Sequence, residues 1–136
     1  MKIVLDTNVL VSALIKEGAP RRLVFRIIKS KKHQLITSEE ILEEFVMVAN
    51  EARIQRYVVQ QDIADFLHNI ATAAKILHTT SSFSVIEQDP DDDVILRTAY
   101  DARASYIVSG DRHLLQLRRF RRTRIVEVEE MLRILG

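Results

Sequence analysis

Two aspartates follow apolar segments that read as buried strands. Asp6 ends the run Ile-Val-Leu at residues 3–5, and Asp111 comes shortly after Tyr-Ile-Val at residues 106–108. Because parallel strands bring their carboxyl ends to one edge of a sheet, we expect both carboxylates at that edge. Either aspartate alone is also typical of a turn or a helix N-cap. Their matched positions favour a shared chemical site.

A third acid can be placed by its angle on a predicted helix, at about 100° per residue. In the helix predicted over residues 39–49, Glu44 flanks the apolar face and Glu43 lies almost opposite it. Glu44 is therefore the better candidate for a carboxylate that turns inward. The alternative is that both glutamates coat the outer surface.

A fourth acid lies in the segment Asp-Pro-Asp-Asp-Asp at residues 89–93. In the helix predicted over residues 91–104, Asp92 falls on the same row as the apolar Ile95 and Leu96, whereas Asp93 is predicted to point outward. An acid on a core-facing row indicates that it caps the helix or binds a ligand. The segment is equally typical of a well-capped helix start, so both interpretations stay open.

Four gathered carboxylates would repel one another unless a cation neutralised them. Oxygen ligands without cysteine or histidine suit Mg²⁺ or Mn²⁺ rather than zinc. Such ions can activate water and stabilise the leaving oxygen of a phosphodiester. The four histidines have no metal-ligand spacing, and we expect none to be catalytic: His33, His68, His78 and His113. Dinucleotide, P-loop and serine-hydrolase motifs are absent from the sequence.

The elements that would position these acids alternate between strand and helix. Strands are predicted over residues 2–6, 33–37, 83–86, 106–108 and 124–126. Helices are predicted over residues 8–15, 20–30, 39–49, 60–77, 91–104, 112–116 and 128–135, with a helical connection over 50–57. This order predicts an α/β fold, a mainly parallel sheet covered by helices on both faces.

Composition indicates a single domain over residues 1–136. The chain has 136 residues, of which 47% are hydrophobic and 29% charged, so a core can form without a structural metal. Cysteine is absent, which excludes disulfides and thiolate chemistry and suits a reducing compartment. No apolar run has the length of a membrane span, and the N-terminus does not read as a signal peptide. We therefore expect a cytoplasmic protein without membrane association.

The net charge is only +1, but the charges are clustered. A polyanionic substrate would be repelled by the acids and would need basic residues nearby. Two basic clusters supply candidates for steering RNA: Lys31 and Lys32, and Arg118, Arg119, Arg121 and Arg122. The alternative for each cluster is a solvated surface without a ligand.

Several segments, taken in order, resemble the PIN-domain family. They are residues 3–10 around Asp-Thr-Asn, Ser38 with residues 41–45, Asp-Pro-Asp-Asp-Asp at 89–93, and Ile-Val-Ser-Gly-Asp at 107–111 followed by Leu114-Leu115. The resemblance spans nearly the whole chain and is greatest to the branch that includes VapC-like toxins. It implies a compact α/β/α sandwich and Mg²⁺- or Mn²⁺-dependent cleavage of RNA.

Carried over by motif, the family's acids fall on Asp6, Glu44, Asp92 and Asp111, which are the predicted catalytic and metal-binding residues. Asn8 and Ser109 match positions that support the site through hydrogen bonds. One departure is His113, where similar sequences often carry an acid. The resemblance also implies a homodimer and a cognate antitoxin protein that blocks the site.

The sequence thus predicts a metal-dependent endoribonuclease that cleaves RNA with metal-activated water, the toxin of a toxin–antitoxin pair. One alternative is a scaffold of the same family that binds RNA or protein without cutting. A second is a phosphatase-like hydrolase with Asp6 as nucleophile, although no aspartate stands two residues after Asp6. A third keeps the chemistry but assigns it to RNA processing.

Overall fold

A central sheet organises the fold. The computed structural model describes residues 1–83 and 90–136, and the side chains of residues 90–92 lie outside what it describes. Within these ranges the sheet has six strands in the order β3-β2-β1-β4-β6-β5. The strands are β1 (Lys2–Leu5), β2 (Gln34–Ser38), β3 (Lys75–Leu77), β4 (Tyr106–Val108), β5 (Arg119–Phe120) and β6 (Thr123–Val126).

Helices cover this sheet and give the predicted α/β/α sandwich. They are α1 (Thr7–Ile15), α2 (Ala19–Lys29), α3 (Glu39–Ala49), α4 (Ala52–Gln55), α5 (Gln60–Ala73), α6 (Pro90–Ala102), α7 (Arg112–Leu117) and α8 (Val128–Leu135). The predicted N-cap of α3 is confirmed, because the Ser38 hydroxyl accepts the Ile41 amide at 3.3 Å. No helix in the described part of the chain is both long and apolar enough to cross a membrane.

Strand β1 lies at the point where the order of strands reverses. It pairs in parallel with β2 on one side and with β4 on the other, so that Val4 lies opposite both Ile36 and Ile107. The chain moves outward from β1 through β2 and β3, then returns to β4 on the opposite side of β1. In open α/β sheets, ligands bind at the carboxyl ends of the strands at such a switch point.

The core holds this switch point in place. Ile3, Val4 and Leu5 of β1 are at most 1% exposed, and the facing helices bury Phe45 and Leu96 just as completely. Burying each such side chain contributes about 1.5–3 kcal/mol. The end of β1, where Asp6 follows Leu5, is therefore fixed by packing on both faces of the sheet.

The helix predicted over residues 60–77 is wrong at its C-terminal end. Helix α5 ends at Ala73, Ala74 is extended with φ −84° and ψ 154°, and Lys75–Leu77 forms β3. Strand β3 pairs in parallel with β2, with Ile76 opposite Thr37. Backbone hydrogen bonds to β2 thus override the helical spacing of the apolar side chains. The strand predicted over 83–86 falls mostly outside the described residues, and Phe83 itself is not in a strand.

The arginine-rich segment forms a β-hairpin that the sequence analysis did not predict as one. Strand β5 pairs antiparallel with β6 at the edge of the sheet, with Arg119 opposite Arg124. Arg118 and Arg121 adopt left-handed backbone conformations, with φ 59° and 55°. Strand β5 is only two residues long, so its backbone pairing, and not a visible strand pattern, defines it.

Candidate functional site

Asp6 is a buried carboxylate at the carboxyl end of β1. It is 5% exposed, and its amide donates to the carbonyl of Val108 on β4 at 2.9 Å. Its Oδ2 accepts a hydrogen bond from the Ser109 hydroxyl at 2.7 Å. Burial raises the pKa of Asp6 above its ordinary value, the Ser109 hydrogen bond opposes this, and the negative charge of Asp111 adds to it.

Ser109 joins the two aspartates that follow β1 and β4. It is fully buried, and its hydroxyl oxygen accepts the Asp111 amide at 2.9 Å while donating to Asp6. A single side chain therefore fixes both the rotamer of Asp6 and the turn that carries Asp111. Ser109 makes the kind of supporting hydrogen bond that was predicted for it, and its role in catalysis stays a prediction.

Asp111 caps helix α7 as well as facing the site. Its Oδ1 accepts the amides of His113 at 2.8 Å and Leu114 at 3.3 Å. The capping interpretation and the site interpretation thus both apply to this residue, since its charge also acts on Asp6. These contacts orient the carboxylate without removing its charge from the edge of the sheet.

Glu44 reaches the same edge from α3. It is half-buried and its neighbour Glu43 is exposed, as the helical angles indicated. The hydroxyl of Thr7 donates to Glu44 Oε2 at 3.1 Å, and Thr7 is 1% exposed. Thr7 was not among the predicted site residues. Its position directly after Asp6, at the first residue of α1, was the available signal.

Two more carboxylates at this edge were missed. Glu127 directly follows β6, as Asp6 follows β1, and Glu129 lies in the first turn of α8. Together with exposed Asn8 and with Ser109, they line an open cavity of about 380 Å³. The strand-end rule that selected Asp6 would also have selected Glu127.

The orientation predicted for Asp93 is wrong. Asp93 is 2% exposed instead of pointing outward. It lies in the first turn of α6, whose last residue Ala102 accepts a hydrogen bond from Lys2 Nζ at the amino end of β1. Thirteen residues span roughly 19 Å, so α6 starts towards the carboxyl edge of the sheet. The side chain of Asp92 lies outside the described residues, and its predicted role is untested.

The described acids are suited to a hard divalent cation but do not form a closed cage. Among the residues whose side chains are described, no three carboxylate or histidine groups converge tightly enough to hold an ion. The donors at this edge are carboxylate and hydroxyl oxygens, the ligands that Mg²⁺ and Mn²⁺ prefer. A cation there would offset the charge repulsion between Asp6 and Asp111, so the donor set fits such an ion.

Four of the six predicted RNA-steering residues are not brought to the acids. Lys31 and Lys32 precede β2, and the Lys32 carbonyl accepts from the N-terminal amine of Met1 at 2.7 Å. Arg121 and Arg122 form the turn before β6. All four lie at the amino edge of the sheet, opposite Asp6. Arg118 and Arg119 lie at the junction of α7 with β5, where they line a cavity of about 440 Å³ together with Glu127, the carboxylate that follows β6.

The double role of Asp111 predicts different results for two substitutions. Asp111→Ala removes the α7 cap and should lower the free energy of unfolding by about 1 kcal/mol. Asp111→Asn keeps an N-cap acceptor and should stay within about 0.5 kcal/mol of the wild type. Urea denaturation monitored by circular dichroism measures both. Equal destabilisation by the two variants would show that the charge, not the cap, stabilises this turn.

Comparison with known proteins places these features in context. A family model described as PIN domain matches residues 2–113. The uncharacterized protein MJ1680 of Methanocaldococcus jannaschii is 29% identical over 119 residues, which cover 87% of this chain and 76% of that protein. The structure of VapBC2 from Rickettsia felis bound to a DNA fragment from its promoter is similar in fold, with a TM-score of 0.64, 15% identity and coverage of 93% and 98% of the two chains.

Proposed function

Because the chain belongs to the PIN-domain family, we propose that it is an endoribonuclease that uses Mg²⁺ or Mn²⁺ at the carboxyl edge of its sheet. Family membership supports nuclease activity, and the choice of RNA and of the metal is our proposal. Its predicted ligands are Asp6, Glu44, Asp92 and Asp111, and the burial of Asp93 adds it as a fifth candidate.

The observation that carries this proposal is the buried carboxylate of Asp6 facing the charge of Asp111 at the switch point of the sheet. Burying a carboxylate costs free energy unless it is paired. Hydrogen bonds from Ser109 and from the backbone at Thr7 and Asn8 offset only part of this cost, because the pKa of Asp6 is still raised. Groups whose pKa values are shifted by burial and by a like charge are typical of functional sites.

The chain's own residues would prepare the site in two ways. Ser109 holds Asp6 and the Asp111 turn in one arrangement, and Thr7 directs the Glu44 carboxylate towards the same edge. Preorganised donors and charges contribute most where water is excluded, as around Asp6. A bound Mg²⁺ or Mn²⁺ would activate water and offset charge on the phosphodiester.

We further propose that this nuclease is the toxin of a toxin–antitoxin pair, acts in the cytoplasm, forms a homodimer and is blocked by a cognate antitoxin protein. The support is the fold likeness to the VapBC2 structure over nearly the whole of both chains. A non-cleaving RNA-binding scaffold is the second candidate. It is favoured by one observation: the acids with described side chains are not gathered into a closed ion site.

A matched pair on α3 tests the proposed chemistry. We expect the wild-type protein to cut a mixed RNA pool in the presence of Mg²⁺ or Mn²⁺, and we expect EDTA to abolish this cleavage. Glu44→Gln should slow cutting by about 100- to 1000-fold, the effect of losing a charged group from an ion site. Glu43→Gln removes the same charge one residue away, on an exposed position, and should stay within about twofold. Initial rates on a fluorescent RNA pool measure all three proteins.

The outcomes separate the two candidate functions. Cutting that survives EDTA, or that falls equally in both variants, contradicts a site built around Glu44. RNA binding without any cutting, unaffected by Glu44→Gln, would favour the non-cleaving scaffold.

A further inference from the structure

A large open pocket lies at the amino edge of the sheet, on the side away from the acids. Its volume is about 840 Å³, and it is bounded by Ser105, just before β4, and by Thr123, the first residue of β6. Ser105 and Ser109 flank β4 at opposite ends. At roughly 3.3 Å per residue, these ends are about 13 Å apart. This amino-edge pocket is therefore separate from the proposed catalytic site.

Aromatic rings and one guanidinium group form a stacked wall of the amino-edge pocket. The Arg121 guanidinium lies 4.4 Å from the ring centre of Tyr100 and 5.2 Å from those of Phe120 and Phe83. Phe83 packs edge-on against Tyr100, with ring centres 5.6 Å apart. Tyr100 is nonetheless 43% exposed, so the cluster leaves a ring open to a ligand.

The same pocket carries positive charge that no carboxylate pairs with. Arg103, Arg121 and Arg122 line it and are exposed. Over residues 1–83 and 90–136, the described ion pairs join other residues: Arg53–Glu51, His78–Glu39 and Arg124–Glu130. Asp101 also lines the pocket, with its Oδ2 accepting the amides of Thr80 and Ser81, so the lining carries three positive charges and one negative charge. The guanidinium groups of Arg103 and Arg122 are thus available to an anionic ligand, whereas that of Arg121 lies over the ring of Tyr100.

Two of these arginines occupy backbone positions that do not favour arginine. Arg103 has φ 57° and Arg121 has φ 55°. Glycine and asparagine adopt this left-handed conformation at a lower cost than a long side chain does. Folding alone would therefore favour another residue at both positions. Strained backbone of this kind concentrates at functional sites.

We propose that the amino-edge pocket binds single-stranded RNA, with phosphates on Arg103 and Arg122 and a base stacked against Tyr100 beside Arg121. Exposed aromatic rings combined with guanidinium groups are typical of single-strand binding, because every base offers a face for stacking. An acidic peptide would use the charges but not the rings. The inference relies on the proposed function only for preferring RNA to DNA. The pocket would bind a part of the strand that lies away from the site of cutting.

Binding can be measured without any cutting. Fluorescence anisotropy of a labelled 12-nucleotide RNA in EDTA, over a series of salt concentrations, gives affinity and its salt dependence. Arg103→Asn should weaken binding several-fold and reduce the slope of log K against log salt by about 0.7, the value for one phosphate contact on a single strand. Tyr100→Ala should weaken binding about 10-fold with the slope unchanged.

Two controls keep the test sharp. Arg56→Asn removes the same charge from an exposed residue outside the pocket, and it should leave affinity and slope near those of the wild type. Thermal melting should show Arg103→Asn at least as stable as the wild type, since asparagine suits its backbone. Weaker binding of that variant is then not a folding defect.

Three results would overturn the inference. The first is unchanged RNA affinity in Arg103→Asn and Tyr100→Ala, and the second is an equal loss of RNA affinity in Arg56→Asn. The third is that polyglutamate of equal charge displaces the RNA as effectively as unlabelled RNA does. Cutting plays no part in this assay. If cleavage does not depend on Glu44 but RNA binding depends on Arg103 and Tyr100, only the proposed nuclease function is rejected. If cleavage depends on Glu44 but RNA binding does not depend on Arg103 and Tyr100, only the pocket proposal is rejected.

Discussion

Asp6→Asn is expected to slow RNA cleavage by about 1000-fold while making the metal-free protein more stable. The slower rate follows from losing a charged ligand of the metal ion, which stabilises the transition state by several kcal/mol. Each tenfold change in rate corresponds to about 1.4 kcal/mol. The stability effect follows from removing a buried charge next to Asp111. The asparagine side chain keeps an oxygen that can accept from Ser109, so the local packing is preserved.

The pH dependence of the free energy of unfolding gives a second measure of how far the charge of Asp6 destabilises the metal-free protein. The folded-state pKa of Asp6 is raised above its ordinary value of 3.8. Its contribution to stability is therefore fully present below the unfolded-state pKa and is lost as pH rises through the folded-state pKa. Without metal, wild-type stability should fall over this range relative to Asp6→Asn, in which residue 6 does not titrate.

Thermal melts in EDTA and in Mg²⁺, at several pH values, test both statements. At neutral pH in EDTA, Asp6→Asn should melt a few degrees higher, since about 1 kcal/mol shifts Tm by roughly 3–5 °C in a domain of this size. Added Mg²⁺ should raise the Tm of the wild type and not of the variant. An Asp6→Asn protein that melts lower than the wild type in EDTA would contradict the argument that hydrogen bonds compensate the Asp6 charge only in part.

Features set by local spacing were predictable from the sequence. The bounds of α3, its Ser38 cap and the contrast between Glu43 and Glu44 follow from one amphipathic pattern read at 100° per residue. The meeting of Asp6 and Asp111 followed from placing both at strand ends in a parallel sheet. These predictions needed only the repeat of side chains around a helix and the direction of the strands in the sheet.

Features set by distant partners were not predictable. Residues 75–77 pair with β2 instead of extending α5, because a strand whose paired residues lie 39 positions earlier in the chain supplies hydrogen bonds that no local pattern reveals. The burial of Asp93, which is 2% exposed, was also missed, because a helical wheel considers only that helix's own apolar residues. Likewise, the clustering of arginines along the chain did not show that the turn at Arg121 and Arg122 lies at the edge opposite Asp6.

The burial of Asp93 changes which acid of the segment 89–93 we expect to matter most. The angular ranking favoured Asp92 because it falls on the same row as Ile95 and Leu96, and it placed Asp93 outward, whereas Asp93 is 2% exposed. Asp93→Asn should therefore slow cleavage by about 100- to 1000-fold, the effect of losing a charged group from an ion site. Asp92→Asn is its natural comparison, because it makes the same chemical change one residue earlier.

Single-turnover cleavage rates in Mg²⁺ for Asp92→Asn, Asp93→Asn and the wild type decide between these adjacent acids. Circular dichroism melts should show that both variants fold, since asparagine matches aspartate in shape. A large loss in Asp93→Asn alone would assign the ligand to Asp93, and losses in both would place two carboxylates of this turn in the site. Near-wild-type cleavage by Asp93→Asn with a large loss in Asp92→Asn would return the ligand to Asp92. Asp93 would then be a structural residue that anchors the start of α6.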